Sequence, residues 1–390
     1  MAVTKPNSLA LVSKMEVEFS TAQREARHHF RSFVQEEITP HAGEWDRSAQ
    51  IPSKIIAELK SRGYLGAPVT KELGGKGWDA ITYGVLTEEI GRACSSVRSL
   101  LTVHDMVALA IMSWGNDFLR NEFARPMASG RLIGGLALSE PNAGSDSSSI
   151  ETKAECTGKN YVLNGKKCWI TFGQIADVFL VAARCDRGIS TFVVPAASEG
   201  LSREKVEVVG TRASLIADLS FSDCVVPAEF LLGKAGFGGI QAIATALDHG
   251  RYSVAWGCVG ITQACLDSCL EYTHKRKQFG VPICQHQLVQ RKLTEMITNA
   301  RAARLLCCRA GYLRDKRDPQ AMSETLVAKY FASRAATQAA NSAVQLHGAN
   351  GLSEKYPVAR FLRDAKVMEI IEGSTEIQQI AIATCSHEEF

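Results

Sequence analysis

The chain has 390 residues, 46% hydrophobic and 22% charged, a globular composition that excludes a disordered or fibrous protein. Lys and Arg number 44 against 41 Asp and Glu, so the chain lacks the basic excess that tracks a nucleic-acid backbone. The apolar uncharged stretch 252–266 carries Ser253, Thr262 and Gln263 and is too short and too polar to cross a bilayer.

The first residues hold only a short apolar patch before Lys14, less than a signal-peptide core. From about residue 15 to 130, apolar residues recur at helical spacings through FSTAQREARHHFRSFVQEEI and IPSKIIAELKSRGYL, with Thr21 and Pro52 as helix-start residues. TKELGGKGWD reads as a glycine-rich loop, after which ITYGVLTEEIGRA and LTVHDMVALAIMSWG return to helix. Between about 131 and 233 the texture changes to short β-branched runs: YVLNGKKCWIT, DVFLVAARC, ISTFVVP, KVEVVG and DLSFSDCVVP. Asn164-Gly165, between two alternating apolar segments, signals a hairpin turn. From about 234 to 390 the chain is helical again. GRYSVAWGCVGITQACLDSCLEYTHKRKQFG reads as one long buried helix whose basic end suits the helix dipole. Two further segments, around 286–313 and 323–348, have the length of bundle helices. The expected fold is therefore mainly α with a central β domain.

The twelve cysteines include no C-x-x-C pair, and Cys307-Cys308 are adjacent, a poor geometry for a bridge. They fit a reduced, soluble, cytoplasmic protein. No His spacing suits a metal, and no Walker, Rossmann or G-x-S-x-G signature is present.

Three loops gather unusual residue types. LALSEPNAGSD, 136–146, offers backbone amides to an anion or a ring edge. NGKKCWITFGQIAD, 164–177, sets Trp169 and Thr171 two apart, on one face of a strand. MEIIEGSTEIQQI, 368–380, places Glu372 at a helix-breaking glycine among Ile370, Ile371 and Ile377, where a carboxylate would have a raised pKa. Taken singly, each has a plain reading as a turn, a core Trp or a solvated helix end.

Together, SEPNAGSD, NGKKCWIT, RKQFG, QLHGANG, FLRDAK and IIEGSTE, in this order and spacing, resemble the acyl-CoA dehydrogenase family of FAD enzymes over nearly the whole chain. CSSVRS, GRYSVAWGCVGI and AKVMEIIEGS look most like its acyl-carrier-protein-linked branch, which serves polyketide extender units of the hydroxymalonyl or methoxymalonyl type. The resemblance implies an N-terminal helical domain, a β-barrel or sandwich middle domain and a C-terminal four-helix bundle. It makes Glu372 the general base and Arg251 a substrate-side residue. It assigns FAD to Ala137, Leu138, Ser139, Ser145, Trp169, Thr171, Ser374 and Glu376, and, across a subunit interface, to Arg276, Gln278, Phe279, Gln345 and Gly348.

This chain departs from the family pattern at three places. His347-Gly348-Ala349 replaces Leu-Gly-Gly, Glu376 stands where relatives have Gln, and Gly250 occupies an alternative base position. The implied substrate is a short polar acyl group, a 2-hydroxy- or 2-amino-malonyl semialdehyde, on a carrier protein. The implied electron acceptor is a flavoprotein or oxygen, and the implied assembly is a homodimer or homotetramer. Arg98 or Lys71 would greet an acidic carrier. Short-chain acyl-CoA desaturation is the alternative, and a catalytically silent binding protein of this fold is the second.

Overall fold

The computed structural model describes residues 19–388; the N-terminal stretch read above for a signal core lies outside them. Helix α1, Thr21–Phe33, starts one residue earlier than expected. Ser20 is its N-cap and forms a reciprocal capping box with Gln23, satisfying two otherwise orphaned N–H groups. Helices α2, Ala42–Ser48, and α3, Ser53–Ser61, follow; Pro52 is the N-cap of α3. Helices α4, Ala80–Ala93, and α5, Ser95–Trp114, are buried along most of their length. By length and hydropathy α5 could cross a membrane, but it is 89% buried inside the fold, as a core helix is.

The N-terminal helices are joined to the C-terminal ones by buried charge. Arg27 of α1 reaches Glu88 and Glu89 of α4, and Arg304 reaches Glu88 from the other side. Burial alone would raise the Glu88 carboxyl, yet Arg304 and Arg27 hold it down at about 2.

The middle region is one eight-stranded sheet: β1 Gly134–Ala137, β2 Lys153–Cys156, β3 Asn160–Ile170, β4 Val178–Cys185, β5 Gly188–Pro195, β6 Leu201–Lys205, β7 Ala217–Pro227 and β8 Leu231–Leu232. The order is β6-β7-β3-β2-β4-β5-β8, with β1 parallel to β4. The sheet folds over on itself, so Leu163, Phe179, Phe192, Leu219 and Phe221 share one core.

Three strand expectations need correction. Asn164-Gly165 is not a turn, because β3 runs straight through it with a bulge. The Asn164 side chain pairs with Asp223 on β7, and a Cβ on Gly165 would fall 2.6 Å from Thr152 Oγ1. The glycine serves close strand approach rather than reversal. KVEVVG is mostly loop; the strand is the preceding Leu201–Lys205. Trp169 and Thr171 do not share a strand face. A second bulge puts Trp169 at φ 63°, and β3 ends at Ile170.

Helix α6, Phe237–Lys275, runs 39 residues and packs against α4 and α5 on one side and α7, Gln287–Lys316, and α8, Ala321–His347, on the other. A short hairpin, β9 Lys277–Gln278 with β10 Val281–Pro282, follows α6. Helices α9, Val358–Ile370, and α10, Thr375–Glu388, end the chain.

Candidate active site

Between α9 and α10 the chain reverses through two consecutive left-handed residues, Glu372 at φ 57° and Gly373 at φ 91°. Glycine adopts this conformation freely, whereas a glutamate there is strained. Donors from three helices hold the strain. Arg251 Nε of α6 donates to the Glu372 carbonyl at 3.1 Å, Lys329 Nζ of α8 to the Gly373 carbonyl at 2.7 Å, and Gln378 Nε2 of α10 to both at 3.1 Å. Ser374 Oγ accepts from the Ile377 N–H, as an N-cap residue does, and Glu376 is exposed in the first turn of α10.

The carboxylate points inward. Glu372 Oε2 is enclosed and has no hydrogen-bond partner within the chain. Burial lifts its pKa to about 7, against opposition from Arg251, Lys329 and Arg98. The enclosure has a different source from the one the sequence suggested: Ile370 is 59% exposed. A Cβ built on Gly250 would lie 2.7 Å from Glu372 Cδ and Oε2 and 2.8 Å from Met106 Sδ. Bare helix α6 backbone at Gly250 and the Met106 thioether therefore form the wall. The alternative base position and the Glu372 carboxylate occupy the same space.

Below this layer α5 and α6 meet along a polar seam. Thr102 Oγ1 lies 2.6 Å from Ser253 Oγ, and Arg98, one turn further, fits its stem against Gly257. Arg98 is 1% exposed, so it is not a surface residue for a carrier protein; Lys71 is exposed. Glycine at 257 leaves the space that takes the arginine inside, a coupling between two helices that no local pattern reveals.

The two middle-domain loops are clamped side by side. Lys167 Nζ donates to the Leu138 carbonyl at 2.9 Å and to Glu140 Oε1 at 2.6 Å, and the Cys168 N–H donates to the Ser139 carbonyl. Glu140 also accepts from the Thr152 and Glu151 N–H groups. Ala137 is buried at the end of β1, Ser145 is exposed and Thr171 is half-buried. The Trp169 N–H is held by Asp218 while its indole is 62% exposed. Phe172 and Gln174 bond residues 214 and 215, and the Thr211 N–H bonds Asp364 Oδ1 of α9 at 2.7 Å. These loops are thus tied to the helix that presents Glu372.

Arg276, Gln278, Phe279, Gln345 and Gly348 form a separate group. The first three lie on or beside the β9–β10 hairpin and the last two at the end of α8. Tyr272 stacks on His347 at 4.2 Å and bonds its carbonyl, which joins the two helix ends. Phe279 is 95% exposed. Arg276 follows Gly250 by 26 positions of a helical stretch, about 39 Å at 1.5 Å per residue, so this group stands far from its own chain's Glu372.

A cleft of about 440 Å³ opens at the opposite end of α9. Four of its five arginines are engaged: Arg31 with Glu89, Arg92 with Asp267, Arg363 with Asp46 and Arg360 with the Ala93 carbonyl. It does not contain Glu372.

Sequence reasoning missed Lys329, Gln378, Met106, and the Lys167–Glu140 pair. Lys329 left one signal, since Thr325, Leu326, Ala332 and Ser333, its helical neighbours, are all small or apolar.

Sequence models of the acyl-CoA dehydrogenase N-terminal, middle and C-terminal domains match residues 20–131, 135–224 and 238–386. The chain belongs to the acyl-CoA dehydrogenase family. It is 39% identical over 377 residues to a probable acyl-CoA dehydrogenase, YngJ, of Bacillus subtilis, covering 95% of this chain and 99% of that one. It is 38% identical to the mouse mitochondrial short-chain specific acyl-CoA dehydrogenase, covering 94% and 90%. Among solved structures, glutaryl-CoA dehydrogenase from Mycobacterium smegmatis superposes with a TM-score of 0.92 at 31% identity, covering 96% and 97%. FkbI, for biosynthesis of the methoxymalonyl extender unit of the polyketide FK520, gives 0.84 at 33%, covering 93% and 99%. The prolyl acyl carrier protein oxidase AnaB gives 0.90 at 26%, covering 94% and 99%.

This acyl-CoA dehydrogenase family chain is an oxidoreductase acting on thioesters, and its cofactor is FAD. The residues present fit FAD: the exposed Trp169 indole, its backbone N–H held by Asp218, offers an apolar face to a planar ring.

Proposed function

We propose that the chain is an FAD-dependent acyl-thioester dehydrogenase with Glu372 as its base. Its substrate is a short polar acyl group on an acyl carrier protein, of the 2-hydroxy- or 2-amino-malonyl semialdehyde type, destined for polyketide or nonribosomal extender units. The observation that carries the chemistry is the Glu372 carboxylate, enclosed, unpartnered and held at about 7. A base poised near working pH takes the proton next to a thioester carbonyl with good driving force. The Glu372 N–H bonds no acceptor among the described residues and so can face the oxygen on which charge develops. FAD, when bound, supplies the two-electron acceptor.

Trp169 and Thr171 would hold the ring, and Ala137, Leu138, Ser139 and Ser145 the flavin and its phosphates. Ser374 and Glu376 would reach the nucleotide end, and Arg251 fixes the base loop beside the substrate. The distance of Arg276, Gln278, Phe279, Gln345 and Gly348 from Glu372 suits contact with the FAD of a neighbouring protomer, hence a homodimer or homotetramer. Reoxidation falls to a flavoprotein or oxygen.

The likeness to FkbI and AnaB supports a carrier-bound substrate, and the polar seam under Glu372 supports a polar acyl group. The 38% identity to the short-chain enzyme favours a second reading, plain desaturation of a short acyl-CoA. The test offers hydroxymalonyl semialdehyde and butyryl groups, each on CoA and on a carrier protein, and follows flavin bleaching. Fast bleaching by the carrier-bound polar group is expected. Equal or faster bleaching by butyryl-CoA would replace this reading with the second.

A further inference from the structure

Arg98 is the second largest of the side chains sealed inside the fold, yet no carboxylate lies within ion-pair distance of it among the described residues. A buried guanidinium is costly unless an anion compensates it. Of its five N–H donors, the bonds made go only to neutral acceptors: Thr102 Oγ1 at 2.9 Å, Ser99 Oγ at 3.1 Å and Met368 Sδ at 3.1 Å. Every other arginine bridging the buried helices α1, α4 and α7 has an acidic partner: Arg27 and Arg304 hold Glu88, and Arg31 holds Glu89.

The surroundings of Arg98 continue this pattern of unmet polarity. Arg98, Thr102 and Met106 recur every fourth residue on α5, and Gly250, Ser253 and Gly257 face them from α6. Met106 and Gly250 wall the Glu372 carboxylate, so the guanidinium, bonded to Thr102, lies about one helical turn below the base. Asp105 Oδ2, the Tyr83 hydroxyl and His249 Nε2 are buried here without a well-aligned partner, and the Tyr83 and His249 rings are 4.7 Å apart. Asp105 makes no ion pair with Arg98; its Oδ1 accepts instead from the Gly66 N–H at 2.8 Å, and burial raises its carboxyl well above the ordinary value. The other titratable groups facing Arg98 are the Cys258 thiol and the Tyr83 hydroxyl, both pushed up by burial, and more distantly the Asp364 and Glu372 carboxyls, neither of which pairs with it.

We infer that Arg98, with Thr102 and Ser253, forms an anion-reading subsite at the floor of the acyl pocket, which takes a carboxylate (or its hydrated aldehyde precursor) two or three atoms beyond the thioester carbonyl. The inference rests on the thioester-dehydrogenase reading and names the substrate class within it: short acyl thioesters whose far end is a hydrated aldehyde or the carboxylate it becomes. The unpartnered Asp105 Oδ2 and Tyr83 hydroxyl suit a hydroxyl beside that anion.

The experiment compares malonyl and isovaleryl thioesters, which share a skeleton but end in a carboxylate or an isopropyl group. Each is offered on CoA and on a carrier protein to FAD-loaded Glu372→Gln protein, where binding is read from the flavin spectrum without turnover. Malonyl is expected to bind about 10-fold or more tighter than isovaleryl, and Arg98→Met to erase that preference. Thr102→Val, which keeps the charge, is expected to weaken malonyl alone by about 3-fold, and it answers the question if the methionine variant does not fold. In enzyme with Glu372 intact, an anion on Arg98 removes a cation's pull on the base. The pH midpoint of flavin reduction should therefore lie higher with a succinyl thioester, which ends in a carboxylate and has a β C–H to give, than with butyryl, a gap absent in Arg98→Met. Equal affinity for the two thioesters, or malonyl affinity unchanged in both variants, overturns the subsite while leaving the dehydrogenase reading intact. Failure of every thioester to perturb the flavin overturns the reading beneath it.

Discussion

Replacing Glu372 by glutamine tests the base through stability as well as activity. A carboxyl held at about 7 against an ordinary 4.5 makes its ionised form about 3 kcal/mol costlier in the folded chain than in the unfolded one. Between those values the folded state binds more protons, so stability falls as pH rises through the window and levels off above 7. Glutamine cannot ionise. The variant should match the parent near pH 4.5 and exceed it by about 3 kcal/mol at pH 9, roughly 6 °C in Tm for a chain of this size. Thermal scans of both FAD-loaded proteins across this range read the difference directly. In the same preparations the parent's flavin reduction should climb with pH to a plateau above 7, while the variant keeps its yellow colour whatever thioester is added. A Tm difference that does not change with pH would refute the claim that the carboxyl is enclosed. Turnover by the variant would remove Glu372 from the chemistry.

Two further outcomes follow from the geometry. Gly250→Ala sets a methyl group 2.7 Å from the Glu372 carboxyl, displacing it; flavin reduction should drop about 100-fold while Tm falls only slightly, and an unimpaired rate would contradict the placement. Lys167→Met leaves Glu140 buried without its cation and should cost about 3 kcal/mol in urea unfolding along with FAD retention, with Glu140→Leu in the same chain restoring most of the stability. A single-variant loss below about 0.5 kcal/mol would show that the clamp between the two loops is dispensable.

The helix–sheet–helix order was legible because hydrophobic period changes with element type, and so was the long helix, though it begins at Phe237 rather than at Gly250, where the sequence reading started it. The turn at Glu372 was legible too, since a charged residue followed by glycine interrupts an apolar helical run. Positions whose conformation is set by a distant neighbour were not. Gly165 looks like a turn until Thr152 is seen against it, and Trp169 looks like a strand-face residue until the bulge turns it outward. Arg98 looks like a surface charge until Gly257 is found making room. Each depends on a partner from another element, and one-dimensional spacing carries no record of such partners.

Helix α6 carries Gly250 and Ser253 near one end and leads into the hairpin bearing Gln278 and Phe279 at the other. A single rigid shaft therefore fixes the angular phase between a protomer's own pocket and the tip it extends outward. Deleting one residue from the middle of that shaft would swing the tip about 100° around the axis while leaving every local contact of the pocket intact. The length of this helix is in effect quantised, and whatever occupies the tip is mechanically geared to the chamber where Glu372 sits.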